Sequence, residues 1–237
     1  MPEPFSRKNI FQLIDQGILP YEFAQLKVDS PLYDYFIYGR AHQKYWCTRG
    51  NKSKMRRDNV TAPDKATSTD QMVLGQPGLI PQIGGHLIAA IIWAANIFVD
   101  HFSDIIYIHL MQSTTQEETL NAKADYERFS NNHEIKVCWY YADNGRYAEK
   151  YFPEAVADAG QTITYCSIGA HHQKVIAEVH IKHLTLAVWT MLLRAKRNWT
   201  EAITNMLWSY TIKSAGALHN RFHLNYDDLS PSNFSLG

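Results

Sequence analysis

The chain has 237 residues, enough for one ordinary domain with a small appendage. Apolar residues make up 46 % of the chain and charged residues 19 %, which excludes a disordered protein and favours a globular one. The 23 Lys and Arg balance the 23 Asp and Glu, which excludes a uniformly basic, histone-like binder but not a locally basic surface for nucleic acid.

Cysteine usage and hydropathy indicate the compartment. Cys47, Cys138 and Cys166 are odd in number and lack CxxC spacing, so neither a disulfide framework nor a cysteine-based zinc site is expected. No apolar run typical of a signal peptide follows the first residues. The longest apolar run, Leu87–Val99, is shorter than the roughly 20 residues that a membrane-spanning helix needs. We expect a nuclear or cytoplasmic protein, neither secreted nor bound to a membrane.

The N-terminal third is predicted to be irregular. Pro20 and Pro31 interrupt any long helix in residues 1–45, which leaves short helical pieces and loops. Residues 39–67 are polar and hold eight Lys or Arg against two Asp. This pattern is typical of an exposed connector; the alternative is an arm that contacts phosphates, for which Arg56 and Arg57 are candidates.

Residues 68–169 alternate strand-like and helical patterns, and two helices follow. Strands are predicted at 71–74, 91–99, 105–111, 137–142 and 162–168, and helices at 115–133, at 152–159, from Ile176 and from Thr200. Pro77 and Pro81 predict a loop after the first strand, and His101–Asp104 suits a hairpin turn. The order predicts an α/β domain with a mixed sheet, in which a hairpin meander precedes crossover units.

Three acidic residues form a candidate site. Asp143 lies where a predicted strand ends in the turn Asp-Asn-Gly, and the carboxyl ends of strands are where α/β sheets bind ligands. Asp70 begins another strand-like run, and Glu178 lies 35 positions after Asp143, near a helix start. Each has a simpler explanation: a capped turn, a polar residue before a strand, and an i,i+4 partner of Lys174 or Lys182. If the three converge, their oxygens suit a hard divalent cation and phosphodiester chemistry.

Four motifs follow one another in a distinctive order. They are Phe98–Ser103 (FVDHFS), Tyr141–Tyr147 (YADNGRY), Ala170–Glu178 (AHHQKVIAE) and Trp199–Ala202 (WTEA) with Leu207-Trp208. Together, over residues 17–225, they resemble the integrase region of Ty1/copia-type retrotransposon polyproteins. The resemblance implies an α/β, ribonuclease H-like fold: a mixed five-stranded sheet flanked by helices, with a small irregular N-terminal region. It divides the chain into a degenerate, zinc-less pre-integrase region (1–48), a basic linker (49–66), a catalytic core (67–230) and a frayed tail (231–237).

The resemblance also implies a chemistry. Asp70, Asp143 and Glu178 become the catalytic ligands of Mg²⁺ or Mn²⁺, whereas Asp100 is excluded because the first acid lies in the earlier strand. The implied reaction is attack of water, and then of a DNA 3′-hydroxyl, on a phosphodiester. The implied partners are DNA, as element ends and target, and further copies of the chain. Residues expected to contact nucleic acid are Lys174, Lys182, Arg56, Arg57 and Asn144.

Several departures from the family pattern leave alternatives open. Lys174-Val175 replaces the usual Asn-Gly before the third acid, and a β-branched valine resists the positive φ that glycine allows. Tyr33 and Phe36 stand where the family has a zinc-binding cysteine pair, so we expect no zinc. The chain therefore reads as an eroded or truncated element copy. The alternatives are a catalytically dead, nucleic-acid-binding remnant and an unrelated scaffold protein.

Overall fold

The computed structural model describes residues 7–22, 65–80, 91–132, 136–165 and 175–222. Its first element is a short helix, α1 (Arg7–Asp15). The predicted basic linker up to residue 64, the positions Tyr33 and Phe36 and the predicted tail at 231–237 lie outside these ranges.

A mixed sheet of five strands forms the centre of the domain. The strands are β1 (Thr67–Leu79), β2 (Ile91–Asp100), β3 (Ile106–Met111), β4 (Trp139–Ala142) and β5 (Thr162–Tyr165), in the spatial order β3-β2-β1-β4-β5. The pairs β1–β2 and β2–β3 are antiparallel, and the pairs β1–β4 and β4–β5 are parallel. The predicted meander followed by crossover units is confirmed.

In the described part of the chain, four helices flank the sheet. They are α2 (Gln116–Asn131), α3 (Tyr151–Asp158), α4 (Val175–Asn198) and α5 (Trp208–Phe222), with short 3₁₀ turns at Arg146–Ala148 and Asn205–Leu207. Helix α2 begins where the sequence indicates: the Thr115 hydroxyl caps it, and Glu117 and Glu118 lie in its first turn. The α/β fold with helices on a mixed sheet is the one predicted from the motifs.

The side chains of β2 point alternately to the two faces of the sheet and contribute to two separate hydrophobic cores. Ile97 and Val99 pack on one face of the sheet with residues of α4 and α5, whereas Phe98 packs on the other face with α2 and α3. Successive strand residues point to opposite faces, so β2 contributes to both layers. The ring of Phe98 stacks on Tyr126 at a centroid distance of 4.5 Å. The result is a three-layer arrangement of helices, sheet and helices.

The first strand is far longer than predicted, and this corrects two expectations. Pro77 does not begin a loop: β1 continues to Leu79 through an irregularity between Val73 and Gly78, where the register with β2 shifts. A bulge tolerates proline because the inserted residues leave the hydrogen-bonded ladder. Residues 67–70 also belong to the strand although they are polar, because their side chains are hydrogen-bonded.

The last helix begins later than predicted. Residues 199–202 form turns after α4, and α5 starts at Trp208. The Thr200 hydroxyl donates to the carbonyl oxygen of Lys196 at 3.1 Å, which completes the end of α4 instead of starting a new helix.

Helix α4 contains a long apolar stretch. Its Ile176–Asn198 segment is long and apolar enough, by length and composition alone, to cross a membrane. In the domain the helix lies on the sheet with Leu184, Val188 and Leu192 buried, as core helices of α/β domains do.

Candidate metal-binding cleft

The parallel register of β1 and β4 brings two of the three predicted acids together. Thr67 pairs with Tyr140 and Ser68 with Tyr141. Continued by two residues, this register places Asp70 beside Asp143, which directly follows the last residue of β4. The strand-to-turn position of Asp143 therefore faces the neighbouring strand at the level of Asp70.

Both carboxylates line one open cleft of about 540 Å³. The remaining lining residues are Gln71, Val73, Thr114, Gly145, Arg146, Tyr147 and Glu149. Asp70 and Asp143 are half-buried, so they face a space that solvent and a ligand can enter. The cleft lies at the carboxyl end of β4, the place at which α/β sheets bind ligands.

Local hydrogen bonds orient each carboxylate. Asp70 Oδ1 accepts the backbone N–H of Gln71 at 2.9 Å, and Asp143 Oδ1 accepts the N–H of Gly145 at 3.1 Å. A Cβ on Gly145 would lie 3.2 Å from both carboxylate oxygens of Asp143, so glycine leaves the room that this turn needs. The Asp-Asn-Gly turn thus holds the Asp143 side chain close to its own backbone.

A buried polar network lies directly beneath the cleft. The Tyr147 hydroxyl contacts Thr69 Oγ1 at 3.0 Å and donates to Asn96 Oδ1, while Thr69 Oγ1 also donates to Asn96 Oδ1 at 3.0 Å. All three residues are buried. Thr69 is the residue before Asp70, so the network reaches the strand that carries the first acid.

Electrostatics show that both carboxylates are close to the same group. Burial raises the pKa of the Tyr147 phenol well above its usual value, and hydrogen bonds with Thr69 and Asn96 oppose that rise. The negative charges of Asp70 and Asp143 raise the same pKa further. Two anionic groups therefore act on one buried hydroxyl, which is the electrostatic environment that a divalent cation neutralises.

The rim of the cleft carries further charged side chains. Glu149 accepts a hydrogen bond from the Gln116 side chain and forms an ion pair with Arg146, whose Nη1 lies 3.5 Å from Glu149 Oε1. Arg146 is exposed beside Asp143. The cleft therefore presents a guanidinium next to the two carboxylates.

Glu178 lies in the first turn of α4. Helix α4 begins beside the β2–β3 turn, because His180 Nε2 is 3.7 Å from Asp104 Oδ1, and it then runs toward β1, where the Thr185 hydroxyl contacts Met72. Glu178 is exposed, two residues before His180, and is not among the residues that line the cleft. Within the described ranges, no three His, Cys, Asp or Glu side chains lie close enough together to hold a metal ion.

The residues predicted to contact nucleic acid are placed only in part. Asn144 is exposed in the turn after Asp143, and Lys182 is exposed on α4, one helical turn after Glu178. Lys174, Arg56 and Arg57 lie outside the described residues.

Asp100 caps a turn instead of lining the cleft. Its Oδ2 accepts the N–H of Ser103 at 2.6 Å and the Ser103 hydroxyl at 2.7 Å. Asp100 pairs with Thr67, three residues before Asp70, so it lies at the end of the sheet where β1 begins. Its buried carboxylate stabilises the β2–β3 turn.

Sequence reasoning missed several residues of this cleft. Thr114, Glu149, Thr69 and Asn96 carry no local signal, because they reach the cleft or the network beneath it only through sheet pairing and loop packing. Tyr147 had one usable signal, since it follows Asp143 by four residues within the YADNGRY motif.

Comparison with known proteins supports the fold. No protein-family model matches the chain, and no curated protein matches it. Among solved structures, the dimeric HTLV-2 integrase catalytic core in complex with magnesium superposes with a TM-score of 0.53 at 13 % identity, covering 73 % of this chain and 97 % of that one. The BIV integrase catalytic core superposes with a TM-score of 0.50 at 11 % identity, covering 73 % and 94 %.

A larger assembly shows the same likeness. A chain from the structure of the simian T-cell lymphotropic virus intasome in complex with the PP2A regulatory subunit B56 gamma superposes with a TM-score of 0.56 at 12 % identity, covering 74 % of this chain and 55 % of that one. At these identities the likeness concerns the fold alone. The chain thus has the ribonuclease H-like fold of retroviral integrase catalytic cores.

Proposed function

We propose that this chain is the catalytic core of a Ty1/copia-type retrotransposon integrase, which cuts and joins DNA phosphodiesters with Mg²⁺ or Mn²⁺. The observation that carries the proposal is the pairing of Asp70 and Asp143 in one open cleft of an integrase-like fold. The ordered motifs from Phe98 to Trp208 support the retrotransposon type, and the magnesium in the HTLV-2 structure supports the choice of cation.

The donor set fits a hard divalent cation. Carboxylate oxygens are the ligands that Mg²⁺ prefers, and a few protein ligands suffice because water and phosphate supply the rest. Asp70 and Asp143 would hold the ion, and Tyr147 beneath them feels the charge of both. When bound there, the cation would lower the pKa of the attacking water and polarise the phosphate.

The chain's own residues would position the DNA. Arg146, on the rim beside Asp143, is placed to contact a backbone phosphate through its forked guanidinium. Asn144, exposed in the same turn, offers an amide to the sugar or phosphate. Lys174, Lys182, Arg56 and Arg57 would extend the contact along the DNA through sequence-independent charge.

Glu178 is the third acid of the proposal. The motif Ala170–Glu178 supports this role.

The experiment measures strand transfer and disintegration on a labelled oligonucleotide that carries an element end, with Mg²⁺ or Mn²⁺. We expect Asp70→Asn and Asp143→Asn to lower the rate by at least about a hundredfold, since lost metal stabilisation amounts to several kcal/mol. Glu178→Gln should act in the same direction. Glu154→Gln, an exposed change on α3, is the matched control and should leave the rate unchanged.

An active, folded wild-type chain whose rate survives Asp143→Asn would contradict the assignment. If only Glu178→Gln were silent, Asp70 and Asp143 would remain the metal pair and the third acid would be wrong.

A second function, a DNA-binding remnant without turnover, is favoured by one observation. Glu178 does not line the cleft in which Asp70 and Asp143 lie. This reading predicts salt-dependent DNA binding that weakens when Arg56 and Arg57 are replaced by alanine, with no cleavage at any metal concentration. Cleavage that appears only after Lys174→Asn with Val175→Gly would support it, and robust cleavage by the unchanged chain would exclude it.

A further inference from the structure

The loop that carries Asp143 is tied to the sheet by one side chain. Tyr147 lies in the 3₁₀ turn Arg146–Ala148, four residues after Asp143, and its ring packs edge-on against Phe152 at 5.1 Å. Its hydroxyl reaches Thr69 on β1 and Asn96 on β2. Its backbone carbonyl oxygen accepts the Tyr165 hydroxyl of β5 at 2.9 Å. Three strands thus hold this turn through Tyr147.

The hydroxyl network, which we define as the side chains of Thr69, Asn96 and Tyr147, has fewer hydroxyl protons than contacts. Three contacts join Thr69 Oγ1, the Tyr147 hydroxyl and Asn96 Oδ1, but the two hydroxyls carry only two protons. Among the described residues, Asn96 Nδ2 is buried without a hydrogen-bond partner. Loss of either hydroxyl therefore leaves the buried amide with one contact fewer, a costly state inside a protein.

The network spans the two acids of the cleft. Thr69 directly precedes Asp70 on β1, and Tyr147 follows Asp143 by four residues, so the Thr69–Tyr147 contact joins the two segments that carry the carboxylates. Both side chains are buried, and their hydroxyls contact each other and Asn96. The network thus links the two chain segments on which the proposed metal ligands lie.

We propose that Tyr147 is a positioning residue, whose hydroxyl, held by Thr69 and Asn96, sets the separation of Asp70 and Asp143 at which a divalent cation binds. This inference rests on the proposed function, since it assumes a cation between these two carboxylates. The inference gives Tyr147 a role in metal binding that the positions of Asp70 and Asp143 alone do not indicate.

The chain offers a matched control on the same strand. Tyr126 on α2 places its hydroxyl 2.9 Å from Thr67 Oγ1, two residues before Thr69 and on the same face of β1. Tyr126 and Tyr147 are each 1 % exposed, and Thr67 and Thr69 are 0 % and 2 % exposed. Both pairs are buried tyrosine–threonine contacts, but only the Tyr147 pair adjoins the cleft.

The experiment compares Tyr147→Phe with Tyr126→Phe in the full chain. Mn²⁺ binding is followed by electron paramagnetic resonance, and the Mg²⁺ concentration at half-maximal strand transfer is measured in parallel. We expect Tyr147→Phe to weaken Mn²⁺ binding and raise the half-maximal Mg²⁺ concentration by about tenfold, the lower end of the loss that follows removal of groups supporting a metal site. Tyr126→Phe should lower the melting temperature without changing metal binding.

A second pair of variants, Thr69→Val and Thr67→Val, tests the same role if Tyr147→Phe does not fold. Thr69→Val removes the other hydroxyl of the network and should weaken Mn²⁺ binding, while Thr69→Ser should restore it and Thr67→Val should not affect it. Equal Mn²⁺ binding by wild type, Tyr147→Phe and Thr69→Val would overturn the positioning role alone. Wild-type Mn²⁺ binding that is absent, or that Asp143→Asn leaves unchanged, would overturn the proposed function and this role with it.

Discussion

At the scale of single residues, the beginning of β1 shows how polar side chains become part of a core. Thr67, Ser68 and Thr69 are all buried in the central strand. Thr67 contacts the Tyr126 hydroxyl, Ser68 contacts His101 Nε2 at 2.7 Å, and Thr69 joins the network of Tyr147. Buried hydroxyls are tolerated when they are hydrogen-bonded, and here each has a partner from another element.

His109 provides a test of pH dependence at the same scale. Its Nδ1 lies 3.0 Å from Asp125 Oδ2, but burial lowers the pKa of His109 more than the nearby charges of Asp125 and Glu118 raise it. Because the folded pKa lies below the value of about 6.5 in the unfolded chain, the unfolded state binds the proton more readily. The free energy of unfolding should therefore fall as the pH drops below about 6.5.

Urea denaturation of wild type and His109→Gln, above and below the titration range of free histidine, measures this effect. The loss of stability on acidification should be smaller in His109→Gln, because glutamine binds no proton. An identical loss in both proteins would show that His109 does not contribute to it.

At the scale of elements, the long β1–β2 hairpin depends on close contact with α5. A Cβ on Gly78 would lie 2.7 Å from the Trp208 indole, which is nearly fully buried and donates to the carbonyl oxygen of Gln76. No other side chain fits between the strand and this ring. The far part of β1 is therefore held by helix contacts where its ladder with β2 is interrupted.

Gly78→Ala should lower the free energy of unfolding by about 1–3 kcal/mol, the usual cost of forcing a methyl group into a filled core. Gly75→Ala in the same strand is the control, since a Cβ there meets no atom within 4 Å. Chemical denaturation of both variants measures the difference. Equal stabilities would show that Trp208 moves aside at little cost.

At the scale of the whole molecule, the cleft couples segments that are distant in sequence. Asp70 lies on β1 and Asp143 directly follows β4, and the described chain between them includes β2, β3, α2 and β4. A cation that binds both would bind the folded state only, so its binding free energy would stabilise the fold.

Mg²⁺ or Mn²⁺ should therefore raise the melting temperature, with a stabilisation of about 2.7 kcal/mol when the ion is in hundredfold excess over its Kd. The shift is measured by calorimetry against NaCl of equal ionic strength. Asp143→Asn should abolish the shift and Glu154→Gln should retain it. A shift that persists in Asp143→Asn would place the cation outside this cleft.

Local pattern was sufficient to predict most of the elements. The apolar runs of β2 and β3 predicted both strands to within about two residues, because a buried strand is apolar along most of its length. The ends of β1 were not predictable: Thr67–Thr69 are polar, and Pro77 normally ends a strand. The side chains that contact Thr67–Thr69 lie on other elements, so the local sequence pattern does not indicate these contacts.

The candidate site likewise has features that the sequence predicted and features that it did not. The Asp-Asn-Gly turn marked Asp143 from sequence, since its geometry is encoded within a few residues. The closeness of Asp70 to Asp143 arises from the parallel pairing of β1 with β4, and the role of Tyr147 arises from contacts with Thr69 and Asn96, 78 and 51 positions away. The location of the start of α4 beside the β2–β3 turn, shown by the contact between His180 and Asp104, depends on how the helix crosses the sheet.

The order of strands and helices, the acids themselves and the turn that orients Asp143 are encoded locally in the chain. Which acids share a cleft, and which hydroxyls lie next to them, depends on the folded domain. Secondary structure and turns follow from neighbouring residues, whereas the distance between the carboxylates of Asp70 and Asp143 follows from sheet register and from packing of the whole domain.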